Sequence, residues 1–297
     1  MRILVTGING QLGYDVFKVL KEKNYDVIGV GRDTMDLQES IQIKECIDKI
    51  NPNVIVHCAA YTSVDDAEDD EELCRRINAY AVRDIAEKAK ELDAVMIYIS
   101  TDYIFDGEKI LSEKHDNTNN EVDYYLEYVE EDKPNPQNVY GKTKLEGEQY
   151  VKELLDKYYI LRISWVFGEN GKNFIDTMIK LSKQKEEISV IGNQIGSPTY
   201  TKDLANVIVE MIETNKYGVY HVTNDGFCSW YEFSKEIFRI TESDILVKSI
   251  NSSEYCTKAK RPLNSKMSKQ KLAENGFTLP RKWQDALLDY ISNTLKK

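Results

Sequence analysis

Three glycines, a threonine, a tyrosine and a lysine are the residues of this chain whose types and spacing point to chemistry. Gly7, Gly10 and Gly13 lie in Thr6-Gly7-Ile8-Asn9-Gly10-Gln11-Leu12-Gly13, after a strand-like run and at the opening of a helical one. That is the context a dinucleotide fingerprint requires. Gly7 permits a tight turn, Gly10 lets the backbone approach a pyrophosphate, and Gly13 allows close helix–strand packing. The helix N-terminus adds free N–H groups for phosphate. The spacing is G-x-x-G-x-x-G rather than G-x-G-x-x-G.

Tyr140 and Lys144 stand four residues apart in Asn138-Val139-Tyr140-Gly141-Lys142-Thr143-Lys144, where a helix is expected to start near Asn138 after Pro134 and Pro136. Residues i and i+4 share a helix face, with Cβ atoms ~5–6 Å apart. A free tyrosine titrates near ~10, and a neighbouring cation favours its phenolate. Such a pair can donate a proton to an alkoxide or accept one from an alcohol. An exposed amphipathic helix also produces Y-x-x-x-K, so the pair gains weight only in combination. Ser100-Thr101-Asp102 supplies it, at the C-terminal end of a strand, where open α/β sheets bind ligands. A hydroxyl at Thr101 can polarise a carbonyl beside the tyrosine. After the second strand, Val30-Gly31-Arg32-Asp33 offers no acid where NAD ribose would be held. Arg32 favours the 2′-phosphate of NADPH over NADH, although it also reads as a surface charge.

The elements that must position these residues follow from periodicity. Strand-like runs occur at Ile3–Thr6, Val27–Val30, Val54–His57, Val95–Ser100 and Tyr159–Ile163. Leu12, Val16, Val19 and Leu20 mark an amphipathic helix, and 40–50 and 72–92 read as two more. Apolar strands separated by helices predict an α/β fold, a doubly wound Rossmann-like parallel sheet, over residues 1–165. A helix at 202–214 and a strand at 218–222 add about 200–222 to it. A strand at 189–191 is likewise expected to return to the sheet, while the rest of 166–199 and 223–297 form a smaller, mostly helical substrate-binding lobe. Residues 108–130 read as an insertion, polar and carrying Tyr124, Tyr125 and Tyr128.

The chain has 297 residues, 50 acidic and 39 basic, and 41% hydrophobic, enough for a real core and unlike disordered or fibrous sequences. A net charge of −11 argues against a general nucleic-acid binder. The charge is local: residues 65–72 hold seven acids and no base, and 108–133 hold nine acids and three lysines. From 251 onward, ten bases face four acids, which suits an anionic small ligand. Five cysteines without a C-x-x-C pairing suggest neither disulfides nor zinc. No signal peptide or membrane span is evident, so a soluble, cytoplasmic protein with no membrane partner is expected.

The glycine turn, Thr101, Tyr140 and Lys144, in that order, resemble an extended short-chain dehydrogenase/reductase, with Asn78 matching the asparagine of its proton relay. Longer strings are similar to the dTDP-4-dehydrorhamnose reductases: 59–65 (A-A-Y-T-S-V-D), 100–107 (S-T-D-Y-I-F-D-G), 134–144 (P-N-P-Q-N-V-Y-G-K-T-K), 162–167 (R-I-S-W-V-F) and 261–265 (R-P-L-N-S). The resemblance covers the chain except 108–130. It implies NADPH- or NADH-dependent reduction of the C4 carbonyl of dTDP-4-dehydro-L-rhamnose to dTDP-L-rhamnose. Tyr140 would protonate the alkoxide, Thr101 hold the carbonyl, and Lys144 lower the Tyr140 pKa and hold the nicotinamide ribose. Cofactor contacts would come from Gly7, Gly10, Gln11, Leu12, Gly13, Arg32, Asp36, Leu37, Ala59, Ala60, Tyr61, Ser100, Tyr140 and Lys144. Tyr103, Trp165, Gln194, Arg261 and Asn264 are the candidates for the thymidine-diphosphate sugar. Some family members hold magnesium at a subunit interface. Asp15 and Lys202 stand at the corresponding positions, and a lysine does not ligate a hard cation, so no metal is expected. A homodimer is left open. Two other readings compete: an NDP-sugar 4,6-dehydratase or epimerase, and a non-catalytic subunit resembling the methionine adenosyltransferase β subunit. The first wants an acidic pair after the threonine, but Tyr103 follows Asp102; the second has no need of an intact Thr101, Tyr140 and Lys144 set.

Overall fold

The computed structural model describes residues 1–109 and 126–294, so most of the expected insertion, including Tyr124 and Tyr125, lies outside the described residues. The first half runs β1 (Arg2–Thr6), α1 (Gln11–Glu22), β2 (Asp26–Val30), α2 (Ser40–Ile50), β3 (Val54–His57), α3 (Glu71–Arg75), α4 (Ala81–Glu91), β4 (Val95–Thr101), α5 (Val139–Leu154) and β5 (Tyr158–Ile163). The rest runs β6 (Val166–Phe167), α6 (Phe174–Ser182), β7 (Glu187–Ile191), β8 (Ile195–Gly196), β9 (Thr199–Tyr200), α7 (Thr201–Ile212), β10 (Gly218–His221), β11 (Cys228–Ser229), α8 (Trp230–Ile240), β12 (Leu246–Ile250), β13 (Asn264–Ser265), α9 (Gln270–Glu274) and α10 (Trp283–Thr294).

A six-stranded sheet in the order β10-β5-β4-β3-β1-β2 is parallel at every pairing. Its central strands are apolar and buried on both faces because a helical layer covers each. On one side Leu12, Val16 and Leu20 of α1 pack with Leu204 and Ile208 of α7 and Leu272 of α9. On the other, Ile43 and Ile47 of α2 pack with Val82 and Ile85 of α4 and Val151 of α5. The strand order reverses between β1 and β3, which opens a crevice at their C-terminal ends.

Three sequence expectations meet a different structure. The run 72–92 is not one regular helix: residues 76–80, Arg76-Ile77-Asn78-Ala79-Tyr80, form a π-helical turn between α3 and α4. One extra residue per turn leaves the apolar pattern nearly intact, so periodicity conceals it. The expected strand at 189–191 belongs to β7, which pairs with β12 away from the main sheet, whereas β10 does join that sheet on β5. The C-terminal part is less helical than expected, since β6–β9, β7–β12 and β11–β8–β13 form three small sheets. Most of those strands have two residues, too short to leave a period-2 signal. They surround a separate apolar cluster built on Phe167, Ile175, Phe233, Trp283 and Leu287.

Two histidines are walled into this core. Burial pulls His57 and His221 down from 6.5 to about 3, with the nearby cations Lys144 and Arg162 adding to the effect. Each then binds a proton more readily unfolded than folded, so each destabilises the fold progressively as pH falls from 6.5 toward 3. Asp102, raised to about 6 chiefly by burial, acts oppositely, favouring the fold at low pH and losing that contribution as pH rises through 6. Burial raises Asp15 and Glu130 in the same sense but less far, and the two histidines, each pulled from 6.5 to about 3, outweigh the three carboxyls, at roughly 1.4 kcal/mol per pH unit for each proton. The melting temperature is therefore expected to fall steadily below pH 6.5. Calorimetry showing a flat melting temperature from pH 6.5 to 4.5 would contradict the burial of these neutral rings.

Candidate active site

The turn between β1 and α1 is built for close approach. Gly7 adopts φ +70, where a side chain is strained, and a Cβ on Gly13 would lie 2.3 Å from the Gly7 carbonyl oxygen. Helix α1 therefore packs against the turn that precedes it. Its N-cap is Gly10, which brings no side-chain acceptor, so the first N–H groups are not capped from within. An uncapped helix N-terminus beside a glycine turn is a ready anion site.

This turn forms one wall of a cleft of about 710 Å³ at the C-terminal ends of the strands. Every expected cofactor residue lines it: Gly7, Gly10, Gln11, Leu12, Gly13, Arg32, Asp36, Leu37, Ala59, Ala60, Tyr61, Ser100, Tyr140 and Lys144. Thr101, Tyr103 and Trp165 line it as well. At the end of β2, a Cβ on Gly31 would meet the Asn9 side chain at 2.7 Å, so an amide fills the place an acid would take. The cleft also takes residues the sequence reading missed. Asn170, Gly171 and Lys172 line it, and Asn170 Nδ2 donates to the Asn9 carbonyl, closing the segment after β6 onto the glycine turn. The polar string Glu169-Asn170-Gly171-Lys172 directly after a strand was the available signal.

The reactive groups sit on two elements fixed at their ends. Asn138 caps α5, its Oδ1 accepting from Gly141 N at 2.7 Å while its Nδ2 donates to the Lys260 carbonyl. Tyr140 and Lys144 then share the face turned to the cleft. On β4, Thr101 Oγ1 accepts from Tyr103 N at 3.2 Å and donates to Asp102 Oδ1 at 3.0 Å, and it also hydrogen-bonds the Tyr140 phenol. Asp102 is held from the far side by Ser265 Oγ at 2.5 Å. The Tyr103 ring meets Tyr140 edge-on at 5.6 Å.

The electrostatics differ from the direct lysine-to-tyrosine effect implied by the resemblance. Burial pushes the Tyr140 phenol well up, against the Thr101 hydrogen bond that favours its ionisation. Burial likewise pulls Lys144 down to about 7, with Glu148, Cys74 and Cys58 opposing. The Lys144 ammonium rests instead over the Tyr98 ring, 4.1 Å from its centroid. Within the protein alone, Tyr140 keeps its proton. Asn78 acts locally: its Oδ1 accepts from Tyr61 N at 2.9 Å and its Nδ2 donates to Tyr61 O at 3.1 Å, bracing the strand-end loop.

The remaining candidates divide. Trp165, at φ +49, stacks on Trp230 with ring centroids 3.7 Å apart and faces the cleft. Gln194 and Asn264 are buried and do not line it, and the Asn264 amide donates to the carbonyls of Lys109 and Leu126. Arg261 reaches Asp65 with two bonds of 2.6 and 3.1 Å and lies beside Tyr103 rather than on the cleft wall. The basic stretch expected to meet a diphosphate is thus matched to acids: Lys258 pairs with Asp69, and Lys260 with Glu108.

Residues 1–296 match the RmlD substrate binding domain family. A dTDP-4-dehydrorhamnose reductase of Aggregatibacter actinomycetemcomitans is 38% identical over 299 residues, covering 96% of this chain and 97% of that protein. The chain belongs to the dTDP-4-dehydrorhamnose reductase family. Among solved structures, the reductase from Clostridium acetobutylicum superposes with a TM-score of 0.92 at 40% identity, covering 100% of both chains. The Bacillus anthracis reductase in complex with NADP gives 0.91 at 40% identity over 99% of both. The family's fold and the cleft with its uncapped helix terminus fit a dinucleotide in the residues already described.

Because the Gly13 Cα faces a backbone oxygen that cannot move aside cheaply, Gly13→Ala is expected to displace α1 and weaken NADPH binding at least about tenfold, one 1.4 kcal/mol step. Fluorescence titration with NADPH measures it; unchanged affinity would rule out this wall as the phosphate site.

Proposed function

We propose that the protein reduces the C4 carbonyl of dTDP-4-dehydro-L-rhamnose to give dTDP-L-rhamnose, the last step of dTDP-rhamnose synthesis for surface polysaccharide. The observation that carries this reading is the convergence of Thr101, Tyr140 and Lys144 on one cleft with the uncapped N-terminus of α1. The same reading takes the enzyme as cytoplasmic and leaves a homodimer open; no helix among the described residues is long and apolar enough to cross a membrane.

The cofactor would be held by the glycine turn, Arg32, Asp36 and Leu37 along one wall and by Ala59, Ala60, Tyr61, Ser100 and Lys144 nearer the reaction centre. Bound there, a reduced nicotinamide supplies the hydride for C4. The protein's own groups handle the oxygen. Burial keeps Tyr140 protonated at neutral pH, so its phenol is a proton donor to the alkoxide that develops. Thr101 holds that oxygen alongside Tyr140, turning its hydroxyl from Asp102 to the incoming carbonyl. Once Tyr140 has given up its proton, the Lys144 ammonium one helical turn away stabilises the phenolate. Trp165 and Tyr103 offer aromatic faces to the sugar and thymine, while Arg261, through Asp65, steadies the loop beside Tyr103. Gln194 and Asn264 would then act behind the wall rather than on the ligand. Residues 166–199 and 223–297, which carry several of these groups, would make the substrate side.

Tyr140→Phe is expected to fold, bind NADPH as the wild type does and lose ~10²–10⁴-fold in kcat. Steady-state kinetics with the nucleotide sugar provide the check, and near-normal kcat in that variant would remove Tyr140 from the mechanism.

A further inference from the structure

Tyr98 sits in the middle of β4, fully buried, and nothing in the proposed reaction uses it. Its surroundings are unusual for a core residue. The Lys144 ammonium lies 4.1 Å from the centre of its ring face. Its hydroxyl donates toward the Lys144 carbonyl at 3.2 Å and the Asn78 carbonyl at 3.3 Å, the latter in the π-helical turn. The His57 ring lies nearly parallel to it, 6.1 Å away at 12°. Room for the hydroxyl exists because residue 147 is glycine: a Cβ there would stand 2.4 Å from Tyr98 Oη and 2.5 Å from the Asn78 carbonyl oxygen. One side chain therefore touches the ammonium, the backbone of the helix that carries it and the π-helical turn.

We propose that Tyr98 is a positioning residue of the reaction, whose ring face seats the Lys144 ammonium and whose hydroxyl locks that face beneath the cleft. A cation over an aromatic face is attracted by the ring quadrupole, most strongly where water is excluded. The other groups facing Lys144 leave this attraction a large share of the work. His57 on β3 is neutral, with its pKa near 3, and the thiols of Cys58 and Cys74 are raised by burial and remain protonated. Tyr140 on the same helix is also neutral. Glu148, one turn along, is the ionised carboxylate among them, and its oxygens already accept from Arg162, Ser100 and Lys152. The ring thus opposes the burial that would strip Lys144 of its charge. Burial draws Lys144 down toward neutral pH, and the ring 4.1 Å from the ammonium acts against that fall.

The test replaces the ring while filling its space. In Tyr98→Met, Lys144 is expected to titrate about one pH unit lower, a tenfold change in its protonation equilibrium. Competitive acetylation of the protein without substrate, read at Lys144 by peptide mass spectrometry, gives that value directly. The alkaline limb of kcat should move down with it. Tyr98→Phe keeps the face and loses only the hydroxyl bonds, so it should shift Lys144 clearly less than Tyr98→Met does. If Tyr98→Met does not fold, Gly147→Ala, which forces the hydroxyl aside, is expected to lower Lys144 in the same direction. Lys144 titrating unchanged in Tyr98→Met, or shifting equally in Tyr98→Phe, would overturn the proposal. The kinetic limb rests on the reductase reading and the labelling does not. A wild type without turnover but with the labelling shift would therefore sink that reading and leave the seat standing.

Discussion

Arg162 on β5 and Glu148 on α5 meet in a two-pronged ion pair that solvent does not reach, with N–O distances of 3.0 and 2.9 Å. Burial alone would raise the Glu148 carboxyl, but the guanidinium holds it down to about 2. The remaining bonds are filled too: Ser100 Oγ donates to Glu148 at 2.6 Å, and Arg162 Nη1 donates to the Glu130 carbonyl at 3.1 Å. A buried pair of this kind adds little over a well-packed apolar contact, yet leaving either partner alone costs about 3–5 kcal/mol. The helix therefore has one favourable place relative to β4 and β5. Tyr140 and Lys144 on that helix, and Thr101 beside Ser100, inherit their relative positions from it.

Above this pair, burial sets the chemistry. It keeps the Tyr140 proton on, draws Lys144 toward neutral pH and leaves both core histidines uncharged. Lys144 alone among them is poised to change charge when a charged ligand enters, because burial has brought it near neutral pH. The glycine turn supplies the complementary half, an uncapped helix end that favours negative charge where the reacting groups offer none.

Much of this was legible from sequence because it is local. The glycine spacing, the strand-end threonine and the i, i+4 pair each encode their own geometry within a few residues, and the structure brings them to one cleft. What escaped is long-range. Asp65 and Arg261 are 196 positions apart, so neither the acidic run nor the basic C-terminal segment reveals that they neutralise one another. Asn264 reads as a ligand contact, but its amide bridges the carbonyls of Lys109 and Leu126. Tyr98 reads as plain core in Val95-Met96-Ile97-Tyr98-Ile99, since a strand pattern says which face is buried and not what rests on the ring. The π-helical turn at Asn78 hides for a related reason, as it alters register without altering apolar content.

Reduction at C4 of a thymidine-linked sugar is tested most directly by product analysis with that substrate. Incubated with NADPH and dTDP-4-dehydro-L-rhamnose, the protein should oxidise one equivalent of NADPH for each dTDP-L-rhamnose formed. Failure to oxidise NADPH with this or any other thymidine-linked 4-keto sugar, in a sample that binds the cofactor, would contradict the account.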